Sequence, residues 1–153
     1  MNYASVIKLK TQFNKSFELG NLDDAVKIGD SIIKGYKKSA LINTNKYADD
    51  LFDIAYANDE AGMFSKAEKL YQESARIVKK INGKDISYSH RINNLAIVYS
   101  KSGRYEEALR LFRESYRLRF NLLGDKNTLT VEGLYNLGNA YRDIDDYERA
   151  VYY

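Results

Sequence analysis

The sequence repeats itself. Ala25 in "DDAVKI", Ala67 in "SKAEKL", Ala108 in "EEALRL" and Ala150 in "ERAV" stand 42, 41 and 42 residues apart. The same frame surrounds each one. Three residues earlier there is a large apolar side chain: Leu22, Phe64, Tyr105 and Tyr147. Five earlier stands Gly20, Gly62, Gly103 or Asp145. Twelve earlier the residue is small in three units, Ala55, Ala96 and Gly138, and is Phe13 in the first, the most divergent unit. A fixed period of this size confines the chain to one supersecondary unit, copied and stacked. A single unit cannot bury its apolar face alone, and about three are needed for a stable array.

The unit is a helical hairpin. Ile92, Leu95, Ala96 and Tyr99, and again Leu134, Leu137, Gly138 and Tyr141, recur at helical spacing upstream of the Gly or Asp. Gly or Asp adopts the left-handed conformation that ends a helix more readily than other residues. The small residues before and after the turn meet where the two helices cross closely, because a long side chain there would force them apart. With no Pro in the chain, nothing in the composition breaks long helices. Helices are expected at about 2–19, 22–38, 46–61, 64–82, 87–102, 105–123, 129–144 and from 147 onward. Asn45, Asp85 and Thr128 are the expected caps of the later first helices.

Composition narrows the function classes. Hydrophobic residues make up 44% and charged residues 29%, a balance that supports a packed core. The absence of Cys excludes disulfides, thiolate metal sites and cysteine nucleophiles, and fits a reducing, cytoplasmic setting. One histidine, His90, leaves little for a zinc site or a histidine base. No Gly-rich phosphate loop or nucleophile elbow is present. An enzyme is not expected, nor a cofactor or metal. A net charge of +3 is too small to argue for nucleic acid. No apolar run approaches the roughly 20 residues of a membrane span. "RLFRESYRLRF" places Arg110, Arg113 and Arg117 on one helical stripe, but Glu106 and Glu114 are interleaved at pairing distance, which describes a solvated outer face. "DIDDYE" gathers acids at a turn without the central Gly of a calcium loop.

The pattern Leu95, Ala96, Tyr99, Gly103, Tyr105, Ala108 and Phe112 resembles the tetratricopeptide repeat, most strongly in the third and fourth units. That repeat usually has a period of about 34 residues and a Pro closing its second helix. Here the period is longer and Pro is absent. The second helix is therefore expected to run on for about two more turns until Gly83 in "INGKD" and Gly124 in "LLGDK" stop it. The segment "LLGDKNTLTVEGLYNLGNAY" is similar to the long-repeat variety of kinesin light chains and many bacterial signalling proteins. The resemblance implies an all-α fold, a right-handed superhelical α-solenoid of antiparallel helix hairpins. The expected units are about 2–43, 44–84, 85–126 and 127–153 in one array. The last breaks off one turn into its second helix, so the sequence is expected to be a fragment of a longer protein. An open apolar end of that kind favours self-association.

The resemblance also implies a non-catalytic scaffold whose first helices line a concave groove for a protein or peptide. The residues that would face it are Ile7, Lys10, Asn14 and Phe17 in the first unit, and Asp49, Phe52, Asp53, Tyr56 and Asp59 in the second. The third offers His90, Asn93, Asn94, Ile97 and Lys101. The fourth offers Glu132, Tyr135, Asn136, Asn139 and Arg142. Asn14, Phe52, Tyr56, Asn93, Asn94, Ile97, Tyr135, Asn136, Asn139 and Arg142 are the candidate contacts. An Asn amide both donates and accepts, so it can grip an extended backbone whatever its sequence. Aromatic rings add rigid contact area at low entropic cost. The family's carboxylate-capturing clamp is only partly present. Lys10 and Asn14 match its first two positions, but Asp53, His90 and Asn94 replace Asn, Lys and Arg. An alternative implied role is a regulatory domain of a larger bacterial sensor or transcription regulator that reads a signalling peptide.

Overall fold

The computed structural model describes residues 3–152, with side chains from Ser5 onward. The described residues form eight α-helices and no strand. In order they are α1 (Tyr3–Glu18), α2 (Leu22–Lys37), α3 (Asn45–Glu60), α4 (Phe64–Asn82), α5 (Ile86–Lys101), α6 (Tyr105–Leu123), α7 (Thr128–Asp143) and α8 (Tyr147–Tyr152). The expected helix start at residue 2 and the chain end at residue 153 lie outside the described residues. The chain divides into two compact units, residues 1–77 and 78–153, with the division inside α4.

Every hairpin turn is built the same way. Gly20, Gly62 and Gly103 have φ of 74°, 73° and 73°, and Asp145 has φ of 60°. The N–H of each residue returns to the carbonyl three residues earlier: Gly62 to Asp59 at 2.9 Å, Gly103 to Ser100 at 3.0 Å, Asp145 to Arg142 at 3.0 Å. The next N–H reaches back five residues: Asn21 to Ser16, Met63 to Asn58, Arg104 to Tyr99 and Asp146 to Tyr141. This is a Schellman motif, which gives the last carbonyls of each first helix their partners while reversing the chain. In the second helices of the second and third repeats, α4 and α6, Gly83 and Gly124 take the stop role at φ of 76° and 81°. Both helices, α4 and α6, run 19 residues, against 16 for α2.

The first helices α3, α5 and α7 start on side-chain caps. Thr44 accepts from the Tyr47 N–H at 3.2 Å, Asp85 from Tyr88 at 2.8 Å, and Asn127 from Leu129 at 3.0 Å. Two of the three caps therefore sit one residue ahead of the expected Asn45 and Thr128. Those residues are already the first helical ones, and the cap needs extended backbone, which Thr44 and Asn127 have at ψ of 155° and 137°.

The periodic small residues lie inside the hairpins. Ala55 and Ala67 in the first unit, and Ala96 and Ala108 in the second, are fully buried. Neighbouring hairpins also close up on glycine. A Cβ on Gly29 of α2 would lie 2.7 Å from Cγ2 of Ile54 on α3. A Cβ on Gly133 of α7 would lie 3.4 Å from the Tyr116 backbone of α6.

A second periodic contact was not visible from apolar pattern. In the first unit the Ser74 hydroxyl of α4 donates to the Ala48 carbonyl of α3 at 2.5 Å. In the second unit the Ser115 hydroxyl of α6 donates to the Ser89 carbonyl of α5 at 3.0 Å. All four residues are buried. The serine therefore satisfies itself on a carbonyl of the facing helix, the arrangement a buried hydroxyl requires.

Three consequences for stability follow. A Cβ at Gly103 meets nothing within 4 Å, so Gly103→Ala is opposed only by its left-handed backbone and is expected to cost about 1 kcal/mol. Asp145→Gly relieves the same restriction and is expected to raise stability by roughly 0.5 kcal/mol. Ser115→Ala is expected to cost about 1 kcal/mol by losing its buried hydrogen bond. Urea midpoints at unchanged slope measure all three.

Candidate functional site

In the first unit the candidate surface is built by α1 and α3. Along α1 the side chains at 14, 17 and 18 follow that at 10 through steps of four (10 to 14), three (14 to 17) and four (14 to 18), so they share a face. Lys10 on that face is already engaged. Its ammonium pairs with Asp50 and lies 3.6 Å from Asp53 Oδ2. Asp50 is buried and also accepts the Tyr36 hydroxyl at 2.6 Å. One carboxylate thus ties α1, α2 and α3 together. Burial pulls the Lys10 ammonium down, but the bond and charge of Asp50 outweigh it and hold it above its ordinary value. Burial also pushes the Asp53 carboxyl up, opposed by Lys10 and assisted by Asp50. A lysine committed to two aspartates has no charge to spare for a ligand carboxylate, so the partial clamp noted in the sequence is not an anion site.

Other first-unit residues divide by exposure. Phe52 is half-buried, its ring meeting Tyr71 edge-on at 5.4 Å. Asp59 is buried. Tyr56 is 41% exposed, with its ring 5.6 Å from that of Phe17. Asn14 is exposed and its amide makes no hydrogen bond within the described residues. Two adjoining clefts share Asn14. One, of 220 Å³, is lined by Val6, Ile7, Lys10, Thr11, Asn14, Lys46 and Asp50. The other, of 240 Å³, is lined by Phe13, Asn14, Phe17, Glu18, Asp53 and Tyr56. Glu18 was not singled out from the sequence, although its position four residues after Asn14 on a helix was the available signal.

In the second unit the candidate surface is built by α5 and α7. Asn93 is buried, and its Oδ1 accepts from Asn136 Nδ2 at 3.2 Å. This amide pair joins α5 to α7. Asn94 donates to the His90 carbonyl on its own helix at 3.0 Å. Ile97 is half-buried. Tyr135 is 69% exposed. Arg142 is exposed, 3.8 Å from Asp143. The Asn139 amide is half-buried and makes no hydrogen bond within the described residues.

Beneath this surface lies a polar group that sequence reasoning missed. Arg119 of α6, off the stripe of Arg110, Arg113 and Arg117, is 1% exposed. It donates to the Leu129 carbonyl at 2.9 Å and lies 3.5 Å from Glu132 Oε2. Its Nε also reaches the Ser89 hydroxyl at 3.4 Å. Burial lowers its pKa, with Glu132 opposing. Arg119 falls two turns after Phe112 on the same helix, so its inward position follows from period. His90 stands beside this network with a buried Nε2 that has no partner. Burial lowers the His90 pKa below 6.5, and the Arg119 charge lowers it further.

The His90 shift fixes the sign of a pH effect. Its folded pKa lies below its unfolded one, so across that interval the unfolded chain binds more protons. This contribution is fully present above pH 6.5 and is lost as pH falls through the folded value. Urea midpoints taken from pH 8 to pH 5 are expected to fall more steeply for the native chain than for His90→Gln. Asp50→Asn is expected to cost about 2 kcal/mol, discounted for the partial exposure of Lys10, by weakening the links to Lys10 and Tyr36. Thermal unfolding measures it.

Comparison with known proteins finds a family model over part of the chain and repeat proteins of the same fold. Residues 88–153 match the family model described as "Tetratricopeptide repeat". Curated protein sequences give no match. Among solved structures, BtubC (BKLC) from P. vanneervenii superposes with a TM-score of 0.89 at 19% identity, covering 96% of this chain. This chain spans 59% of that one. A putative kinesin light chain from Podosopora anserina with nearly identical TPR-like repeats superposes at 0.86 and 17% identity, covering 99% of this chain and 73% of that one. The Sgt2 TPR domain from Aspergillus fumigatus superposes at 0.62 and 16% identity, covering 95% of this chain and 82% of that one. Among the described residues, no helix is long and apolar enough to cross a membrane.

Proposed function

We propose that this chain, which matches the tetratricopeptide-repeat family model over residues 88–153 and shares the fold of tetratricopeptide-like repeat structures, docks a peptide or protein segment on its first helices. Repeat folds of this family serve as protein-interaction scaffolds and are generally non-catalytic. The observation that carries the docking reading is the set of exposed aromatic rings and unpartnered amides on first helices: Asn14 and Tyr56 in the first unit, Tyr135 and Asn139 in the second.

The mechanism is shape with backbone capture. Asn14 and Asn139 each have a donor and an acceptor for an extended strand, and Tyr56 and Tyr135 offer flat apolar contact beside them. Asn93 serves differently in this reading. Buried and paired, it holds Asn136 in place and is not itself a contact. Asn94 keeps its Oδ1 for a ligand, because only its Nδ2 is committed.

The exposed apolar residues of α8, Val151 at 88% and Tyr152 at 82%, support contact between two copies through this end. Sedimentation of the native chain against Val151→Asp reads it. A concentration-dependent dimer lost in the variant supports the contact, and a monomer in both removes it.

The docking reading is tested with the full chain against a displayed library of random peptides. Selected peptides are expected to lose about tenfold in affinity on Tyr135→Ala, the scale of one well-placed aromatic contact. They are expected to bind unchanged to Arg110→Ala, which alters the exposed face of a second helix. Equal losses in both variants, or no selected peptide at all, would overturn it.

A further inference from the structure

We propose that the cleft between α1 and α3 in the first unit receives a cationic side chain, an Arg or Lys, from the docked peptide. This rests on the docking reading above and names the chemistry that one part of the surface selects. The cleft has aromatic walls, acidic ends and no cation of its own lining it.

The walls come first. Phe13, Phe17 and Tyr56 converge there, Phe13 stacked on Phe17 at 6.3 Å and Phe17 tilted against Tyr56 at 5.6 Å. Tyr56 remains 41% exposed, so its ring is open to a visitor. Aromatic faces attract a cation placed over them, and a guanidinium also stacks flat on them.

The acids come second. Glu18 and Asp53 are the charged groups of this lining. Glu18 makes no ion pair within the described residues. Asp53 keeps half its carboxylate exposed, and its one cation, Lys10, sits 3.6 Å away while bonding directly to Asp50. Lys10 therefore does not neutralise this cleft fully. Two carboxylates present four acceptor oxygens, which suits the forked donors of a guanidinium. Asn14, with a free amide at the shared edge of the two clefts, is placed to hold the backbone beside such a side chain.

The neighbouring cleft makes the contrast. It carries Lys10 and Lys46 with Asp50, which leaves it without net negative character. A third hollow of 670 Å³ around Gly20, Asp23, Lys27 and Glu60 has no aromatic wall. Aromatic rings, the unpaired Glu18 and an Asp53 that shares Lys10 with Asp50 coincide in the cleft formed by Phe17, Glu18, Asp53 and Tyr56.

The probe is N-acetyl-arginine methylamide, titrated into the full chain and followed by amide NMR shifts. Its neutral isostere, N-acetyl-citrulline methylamide, is the control. Saturable shifts are expected at Asn14, Phe17, Glu18, Asp53 and Tyr56 with the arginine compound and at least fivefold weaker with citrulline. Glu18→Gln is expected to weaken the arginine response at least threefold while leaving the rest of the spectrum in place, since Glu18 holds nothing else. Equal response to citrulline, shifts scattered outside this cleft, or no effect of Glu18→Gln would overturn the inference. If peptides from the display selection bind and arginine does not, only the cation assignment falls. If arginine binds and no peptide is selected, the fault lies with the docking reading.

Discussion

Two helices can lie side by side only as closely as their bulkiest contacting residues permit, and this chain places small residues at that point in its second and third repeats. Ala55, Ala67, Ala96 and Ala108 admit no solvent at all. With the backbones this close, a hydroxyl on one helix can reach a carbonyl on the next, as Ser74 and Ser115 do. A larger residue at the crossing would lengthen those bonds before it touched anything else. The left-handed turn residue belongs to the same constraint, because a loop longer than the Schellman reversal would not bring the alanines level. Small crossing residue, tight turn and interhelical serine are three expressions of one distance.

Polar groups inside the units follow from it. Asp50, Arg119 and Asn93 are each buried, and each is answered by partners on other helices. A buried charge or amide without partners would cost several kcal/mol, so such residues fix register more firmly than apolar ones can. Tyr36 in the first unit and Arg119 in the second stand at comparable places on second helices, yet one is satisfied by a carboxylate and the other by a carbonyl and a carboxylate. The repeats share geometry and differ in chemistry, and that difference is what gives each stretch of surface its own character.

The candidate surface shows how a scaffold divides its polar residues between holding and offering. Of the asparagines on the first helices, Asn93 and Asn136 bind one another, Asn94 turns partly to its own helix, and Asn14 and Asn139 are left open. Lys10 is consumed by Asp50, which removes an anion site and leaves Glu18 and Asp53 as the charge facing the aromatic cleft. The balance there is set by which side chains the fold has already used.

The period by itself determined the helices, their turns and their ends. Left-handed glycine and helical spacing are local properties, so Gly62, Gly103 and the alternation around Ala67 and Ala108 carried that information in sequence order. Cap positions missed by one residue at Thr44 and Asn127, because extended backbone, not residue type, decides which of two adjacent polar residues caps. Helical phase also indicated which face of each first helix would hold Asn14, Tyr56 and Tyr135. Only the tertiary structure decided that Asn93 is buried, that Lys10 is spent, and which partners Arg119 meets in the core. Each of those outcomes depends on a partner some ten to forty residues away, and a side chain's freedom to act on a ligand is whatever remains after such partners have taken their bonds.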